Sequence, residues 1–415
     1  MHMPYFTSIV LSAVIIAIGL LATAVVSRRK TLATLACFSL LFKALVMCVH
    51  EKTGLFGSAD IGDYWDYFAA NPIWLSIVND SGIERLSSFY ASLYGGPLYA
   101  IFDTDSYIII RSINVVLATL GCVFSLKIFE IIVGRPAPRY SAALLLFWPS
   151  LIRFSMELGR MPITIMLVGV TVYLALRLHV DRNGRLAKFV LLIPLSLILV
   201  LLRPPYGFIV FSFVLGLLLI SALRIWKTKR GMLALVFLCP IVVITVFGGA
   251  YGYNKVSREG QMVSLDALQQ RSERDIDAGS TYLKGFSIRN PIDMVWYTPL
   301  FGFYFLYSPL PWSTPSFNPF YFGVMAESML LLGFTLIALR RRSRRSSRHV
   351  SQRTGLYALI CALVFSGLVF GSGVSVAGQA DRYRLPLTML AIPFLAYFSN
   401  RRQVMRLTYS RQKLS

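Results

Sequence analysis

Residues 5–49 read YFTSIVLSAVIIAIGLLATAVVSRRKTLATLACFSLLFKALVMCV, and this stretch decides the fold class. Two apolar runs, at 5–26 and 31–49, flank a short basic turn at 27–30. Each run is long enough, as an α-helix, to cross about 30 Å of hydrocarbon. No small-residue cleavage site follows the first run, so we interpret it as a retained spanning helix rather than a signal peptide.

The same pattern of apolar runs continues along the chain. The 415 residues are 56% hydrophobic and only 14% charged, which is typical of membrane proteins. We predict an all-α, polytopic membrane protein, a single domain over 1–415, with about eleven transmembrane helices. Hydropathy places these spans near 5–26, 31–49, 107–133, 141–156, 161–178, 189–203, 206–224, 232–252, 321–339, 355–374 and 384–399.

Basic residues cluster in alternate connections between these spans and explain the net charge of +22. The clusters lie at 28–30, 135–139, 177–188, 224–230, 340–353 and 401–413. By the positive-inside rule they face the cytoplasm, so the N-terminus is predicted outside and the C-terminus inside a plasma (inner) membrane. This placement argues against a nucleic-acid partner. The basic loop 340–353 is predicted to contact anionic lipids at the cytoplasmic face.

The opposite, outer face is predicted to hold two long loops that contain short helices. These are the first outer loop at 50–106 and a large outer loop at 253–320. Within the second, residues 293–312 are apolar but broken by prolines, which predicts an interfacial or re-entrant segment. Long loops of this kind are a usual place for function.

An acidic stretch in the first outer loop is the first group that can carry chemistry. Asp60, Asp63 and Asp66 are spaced three residues apart, roughly along one face of a helix. Close carboxylates at a bilayer edge suit a general base, or a pair that holds a divalent cation. The alternative is a solvated helix start with acids near its N-terminus.

Arginines beside the short outer links are the second group. Arg160 follows Glu157 in one link, and Arg203 precedes a Pro-Pro turn. Arg382 lies just before the last predicted span, and Arg384 is its first residue. The planar guanidinium donates two parallel hydrogen bonds to phosphate oxygens. Snorkelling to lipid headgroups, or pairing with a nearby acid, is the alternative. The scattered histidines and cysteines show no metal-ligand spacing, so we predict neither a metal site nor a required cofactor, although a divalent cation remains possible.

Four short motifs accompany these groups. They are DIGDYWDY at 60–67, FWPS and ELGR at 147–150 and 157–160, YSPLPW at 307–312 before a span with Glu327, and GQADRYRLP at 378–386. In these motifs the chain resembles the polytopic C-type glycosyltransferases that use polyprenyl-phosphate-linked sugars, in particular bacterial members from cell-surface polysaccharide loci. In that family one span usually precedes the acidic loop, whereas two are predicted here.

The resemblance implies a transferase of the cell envelope that takes part in polysaccharide biosynthesis. Its partners would be a lipid-linked sugar donor and a glycan or lipid-linked acceptor. Arg160, Arg203, Arg382 and Arg384 would bind the donor phosphate. Asp63, or Asp60 beside it, would be the catalytic base, with Asp66 and Glu157 in supporting roles.

Three other functions stay open at the level of sequence. A polysaccharide polymerase or ligase would transfer a whole lipid-linked glycan, and it would need the outer arginines more than an acidic base. A transporter or lipid flippase would place polar residues near mid-membrane on broken helices, whereas here they gather at one face. An accessory membrane scaffold would tolerate neutralisation of all the outer acids and arginines.

Overall fold

The computed structural model describes residues 5–54, 94, 97, 107–181, 184–202, 206–207, 210–211, 213–214, 216–217, 291–311, 319–342, 350–373 and 377–399. Its continuous helices in these residues are α1 Tyr5–Ser27, α2 Lys30–Thr53, α3 Ile108–Val133, α4 Arg139–Leu146, α5 Pro149–Ser155, α6 Met161–Val180, α7 Arg185–Leu202, α8 Pro291–Tyr307, α9 Pro319–Arg342, α10 Val350–Gly373 and α11 Ala377–Ser399. This part of the chain contains no strand, which confirms the predicted all-α class for the described residues.

Within the described residues, five helices are long and apolar enough to cross a bilayer, namely α1, α2, α3, α6 and α9. Their outward surfaces fit a lipid environment. On α1, for example, Ile18 is 62% exposed, Leu21 67% and Val25 66%, and a soluble protein seldom exposes such a continuous apolar face. The number of about eleven spans stays a prediction, since most of 206–252 lies outside the described residues.

The helix α3 lies at the centre of the bundle and packs against α1, α2 and α6. It approaches the α6 backbone closely at two glycines. A Cβ atom on Gly121 would lie 2.8 Å from the carbonyl oxygen of Ile165, and one on Gly169 would lie 2.9 Å from the carbonyl oxygen of Gly121. Small residues let membrane helices approach in this way, so that backbone packs on backbone.

We expect Gly121→Ala to destabilise the bundle by about 1–3 kcal/mol, because the new methyl group must push the α6 backbone away. The matched control is Gly333→Ala on α9, where nothing lies within 4 Å of the added Cβ. The control should be neutral or slightly stabilising. Thermal unfolding in detergent compares the two, and equal midpoints would show that the close contact between α3 and α6 contributes nothing.

The predicted span at 141–156 is two helices, α4 and α5, with a break at Phe147 and Trp148. A proline disfavours the helical conformation of the residue before it, and Trp148, which precedes Pro149, is extended with ψ 122°. The break leaves the Leu146 carbonyl oxygen without a helical donor. The hydroxyl of Ser39 on α2 donates to it at 2.8 Å.

Two segments are more helical than their prolines suggest. The predicted interfacial stretch at 293–312 begins as α8, which continues through Pro299 and ends at Tyr307, before a cis peptide bond at Pro309. The last predicted span, 384–399, belongs to α11, which begins at Ala377. Helix packing compensates for an internal proline in such positions: α8 packs against α10, and α11 against α4 and α9.

Candidate functional site

The bundle has two ends of different character. At one end α1, α3 and α6 terminate beside Arg29, Arg135 and Arg177; we call it the basic end, and it is the one predicted to face the cytoplasm. At the other end α3 and α6 begin and α5 terminates. We call this the polar end. The segment 156–160 and the first turns of α11 meet there, since Arg382 pairs with Glu157.

Six buried residues form a hydrogen-bonded cluster at the polar end, to which Ser308 contributes its backbone carbonyl oxygen and the others their side chains; we call it the buried network. It comprises Ser150, Ser308, Glu327, Ser328, Asp381 and Arg384. Each of the six is at most 6% exposed. The cluster joins α5, α9 and α11 to the turn that follows α8, so four separate stretches of the chain depend on it.

Glu327 accepts hydrogen bonds from the first turn of α5. One carboxylate oxygen accepts the backbone N–H of Ser150 at 2.8 Å, and the other accepts the Ser150 hydroxyl. The first N–H groups of a helix have no partner within the helix, and a carboxylate suits the positive end of the helix dipole. The Ser150 hydroxyl oxygen also lies 3.5 Å from a carboxylate oxygen of Asp381. Glu327 therefore caps α5 from a neighbouring helix.

Arg384 is the centre of the same network. Its Nη2 donates to Asp381 Oδ1 at 2.9 Å and to Ser328 Oγ at 3.0 Å. Its Nη1 donates to the carbonyl oxygens of Ser308 and, at 3.2 Å, Leu306. These four bonds use the hydrogens of both terminal nitrogens. The geometry therefore favours a positioning role for Arg384 over direct phosphate binding.

A more accessible group of charges lies beside this network. Arg382 Nη2 and Glu157 Oε2 form an ion pair at 3.2 Å, with 30% of the arginine side chain and 12% of the glutamate exposed. The centroid of the Phe154 ring lies 4.8 Å from Arg153 Cζ and 5.9 Å from Arg382 Cζ. Arg160, which is 8% exposed, donates from Nη1 to the Leu202 carbonyl oxygen at 3.1 Å. An anion that reaches Arg382 competes with Glu157 for the same guanidinium.

A short relay connects Tyr94, in the predicted first outer loop, with this group. The Tyr94 hydroxyl donates to Asn114 Oδ1 at 2.5 Å, and Asn114 Nδ2 donates to the Glu157 carbonyl oxygen at 2.6 Å. Burial raises the pKa of Tyr94, so its hydroxyl stays protonated and acts as the donor. The Glu157 carbonyl can only accept, which fixes the orientation of the amide.

We expect Tyr94→Phe to lower the free energy of unfolding by about 1–3 kcal/mol, because buried Asn114 Oδ1 loses this donor. Hydrogen exchange at 156–160 should also become faster. Tyr173→Phe is the matched control, since its hydroxyl accepts a 3.2 Å bond from Arg177 Nε nearer the basic end. The same exchange rate at 156–160 in both variants would rule out the relay.

Half of the predicted site residues lie in the described part of the chain. Glu157, Arg160, Arg382 and Arg384 are at the polar end. The acids Asp60, Asp63 and Asp66, together with Arg203, lie outside the described residues. Within the part of the chain that is described, no group of three or more His, Cys, Asp or Glu side chains is placed to hold a metal ion.

The sequence alone does not predict the buried network as a unit. A signal was present, because Glu327 is a lone acid in an apolar run and such residues in spanning helices are usually functional or structural. Its partners are distant in sequence, and Ser150 is 177 residues away.

No protein-family model, curated protein or solved structure matches the chain. The site must therefore be interpreted from its own chemistry.

Proposed function

We propose that the protein is a membrane glycosyltransferase. It moves a sugar from a polyprenyl-phosphate-linked donor to a cell-surface glycan or lipid-linked acceptor on the non-cytoplasmic face. One observation carries the proposal: Arg160 and Arg382, from two separate segments, lie with Glu157 at the end of the bundle opposite the basic clusters. Guanidinium groups in such a position suit the phosphate of a lipid that enters from the membrane.

The proposed roles follow from accessibility. Arg382, with 30% of its side chain exposed, binds the donor phosphate by exchanging Glu157 for a phosphate oxygen. Arg160 and Arg203 assist from the neighbouring links, and Arg384 holds the start of α11 in place. As the bond between the anomeric carbon and the phosphate oxygen breaks, these arginines offset the negative charge on the departing lipid phosphate.

The proposed base is Asp63, with Asp60 beside it as the alternative and Asp66 and Glu157 in support. It accepts the proton of the acceptor hydroxyl while that oxygen attacks the anomeric carbon. The proton ends on the carboxylate, and the electron pair of the broken bond leaves with the lipid phosphate. The relay through Tyr94 and Asn114 supports this arrangement, because it connects the first outer loop with the link that contains Glu157.

A polymerase or ligase is the second candidate, because the described part of the site is rich in arginine. Two substitutions separate the candidates in a transfer assay. In a transferase, Asp63→Asn lowers turnover by about 10²- to 10⁴-fold, whereas Arg382→Ala raises the KM for the donor and lowers turnover less. In a ligase, Arg382→Ala abolishes transfer and Asp63→Asn is tolerated. Retention of full activity in both variants would contradict both mechanisms.

Transport is the third candidate, and one feature favours it. Lys43 on α2 is fully buried and donates to Thr119 Oγ1 at 3.3 Å. One turn earlier, the Ser39 hydroxyl donates to the Leu146 carbonyl oxygen at the break between α4 and α5. Broken helices and buried charges near mid-membrane are typical of transporters. Uptake or flipping of a lipid-linked glycan by reconstituted protein, without transfer, would favour this function.

A further inference from the structure

The basic end contains a second concentration of charge, separate from the loop 340–353. Arg28 and Arg29 lie in the turn between α1 and α2, Lys127 lies near the end of α3, and Arg177 lies in the last turn of α6. Lys127 is half-buried and lies within electrostatic range of all three arginines, with Glu130 as the acid among them. The turn between α1 and α2 and the last turns of α3 and α6 therefore bring positive charge to the same end of the bundle.

The acids at this end leave much of that charge unbalanced. Glu130 pairs with Arg29 at 3.2 Å and also accepts the backbone N–H of Ala137. Asp181 pairs with Arg177 at 3.0 Å and with Lys188 at 3.2 Å. The cluster and its neighbour Lys188 thus hold more cations than carboxylates. Like charges held close together in a partly buried site repel one another, and a bound anion relieves that repulsion.

The last turns of α1, which precede Arg28, expose apolar side chains. Leu21 and Val25 on the last turns of α1 are 67% and 66% exposed, and they lead directly to Arg28. Phosphate-binding cations next to an apolar helix face match the two parts of a phospholipid, its headgroup and its acyl chain. We propose that Arg28, Lys127 and Arg177 bind the phosphate of one anionic phospholipid, whose acyl chain lies along α1.

The test uses the purified full chain in a neutral detergent, titrated with phosphatidylglycerol while thermal unfolding is followed. The wild type should be stabilised, and Lys127→Gln or Arg28→Gln should raise the apparent Kd about fivefold each, the effect of one cation at a membrane surface. Lys127→Arg keeps the charge and should bind as the wild type does. The matched control is Arg139→Gln, an exposed arginine at the same end, and it should change the Kd less than about twofold.

Four results would overturn the proposal. An equal loss in Arg139→Gln would show diffuse attraction to a basic surface rather than a site. Equal stabilisation by phosphatidylcholine would show that the lipid charge is irrelevant, and equal stabilisation by inorganic phosphate would show that the anion is not a lipid. Unchanged binding in both Lys127→Gln and Arg28→Gln would exclude the cluster. None of these results depends on glycosyl transfer, so the proposed function is tested separately.

Discussion

Replacing Asp63 by asparagine should lower turnover by about 10²- to 10⁴-fold, the usual contribution of a general base. Asparagine keeps the size of the side chain but cannot accept the proton from the acceptor hydroxyl. The KM for the lipid-linked donor should change little, because the donor phosphate is assigned to Arg160 and Arg382. The measurement is steady-state transfer of radiolabelled sugar by protein reconstituted in nanodiscs.

Asp103→Asn is the matched control, since Asp103 lies in the same predicted outer loop and the substitution removes the same charge. It should retain wild-type turnover. If Asp63→Asn is active and Asp60→Asn is not, the base is Asp60. If turnover survives both substitutions, and also Asp66→Asn, the acidic stretch does not supply the base and the mechanism rests on the arginines.

Arg384→Met should destabilise the protein by about 3–5 kcal/mol, the cost of leaving one partner of a buried ion pair without the other. The variant leaves the Asp381 carboxylate, only 3% exposed, without its 2.9 Å partner. It also removes donors from the Ser308 and Leu306 carbonyl oxygens, where α8 terminates. Unfolding in detergent, followed by temperature or denaturant, measures the loss.

Arg382→Met is the matched control, two residues away on the same helix. Its ion pair is partly exposed, so its loss should cost at most about 1 kcal/mol. Adding Asp381→Asn to Arg384→Met should restore part of the stability, because the unpaired charge is then removed. Equal stability of the two single variants would show that the buried network does not hold α11 in place.

The sequence predicted the helices that have long, uninterrupted apolar runs. The runs at 5–26, 31–49, 107–133 and 161–178 correspond closely to α1, α2, α3 and α6, because hydrocarbon thickness alone sets the length of such a helix. The break before Pro149 also had a local signal, since a proline restricts the residue that precedes it. Hydropathy averages over that residue, and it therefore gave one span at 141–156.

The site was harder to predict than the helices. The last span was predicted to start at 384, but α11 begins at Ala377. Arg382 pairs with Glu157, and Arg384 donates to the Leu306 and Ser308 carbonyl oxygens, so partners on other segments stabilise both arginines there. Those partners, Glu157 among them, are set by tertiary packing, and a single sequence contains no record of it. The proposed roles of Arg382 and Arg384 differ because their exposure and hydrogen bonds differ.

Glycosyl transfer by the purified protein tests the proposed function most directly. Wild-type protein in nanodiscs is incubated with radiolabelled sugars on a panel of polyprenyl-phosphate and polyprenyl-diphosphate carriers, with candidate glycan and lipid-linked acceptors and with empty nanodiscs as the control. We expect label to move to an acceptor from at least one polyprenyl-phosphate donor. Folded protein that transfers no sugar from any donor would contradict the proposal and leave transport or scaffolding as the better explanation.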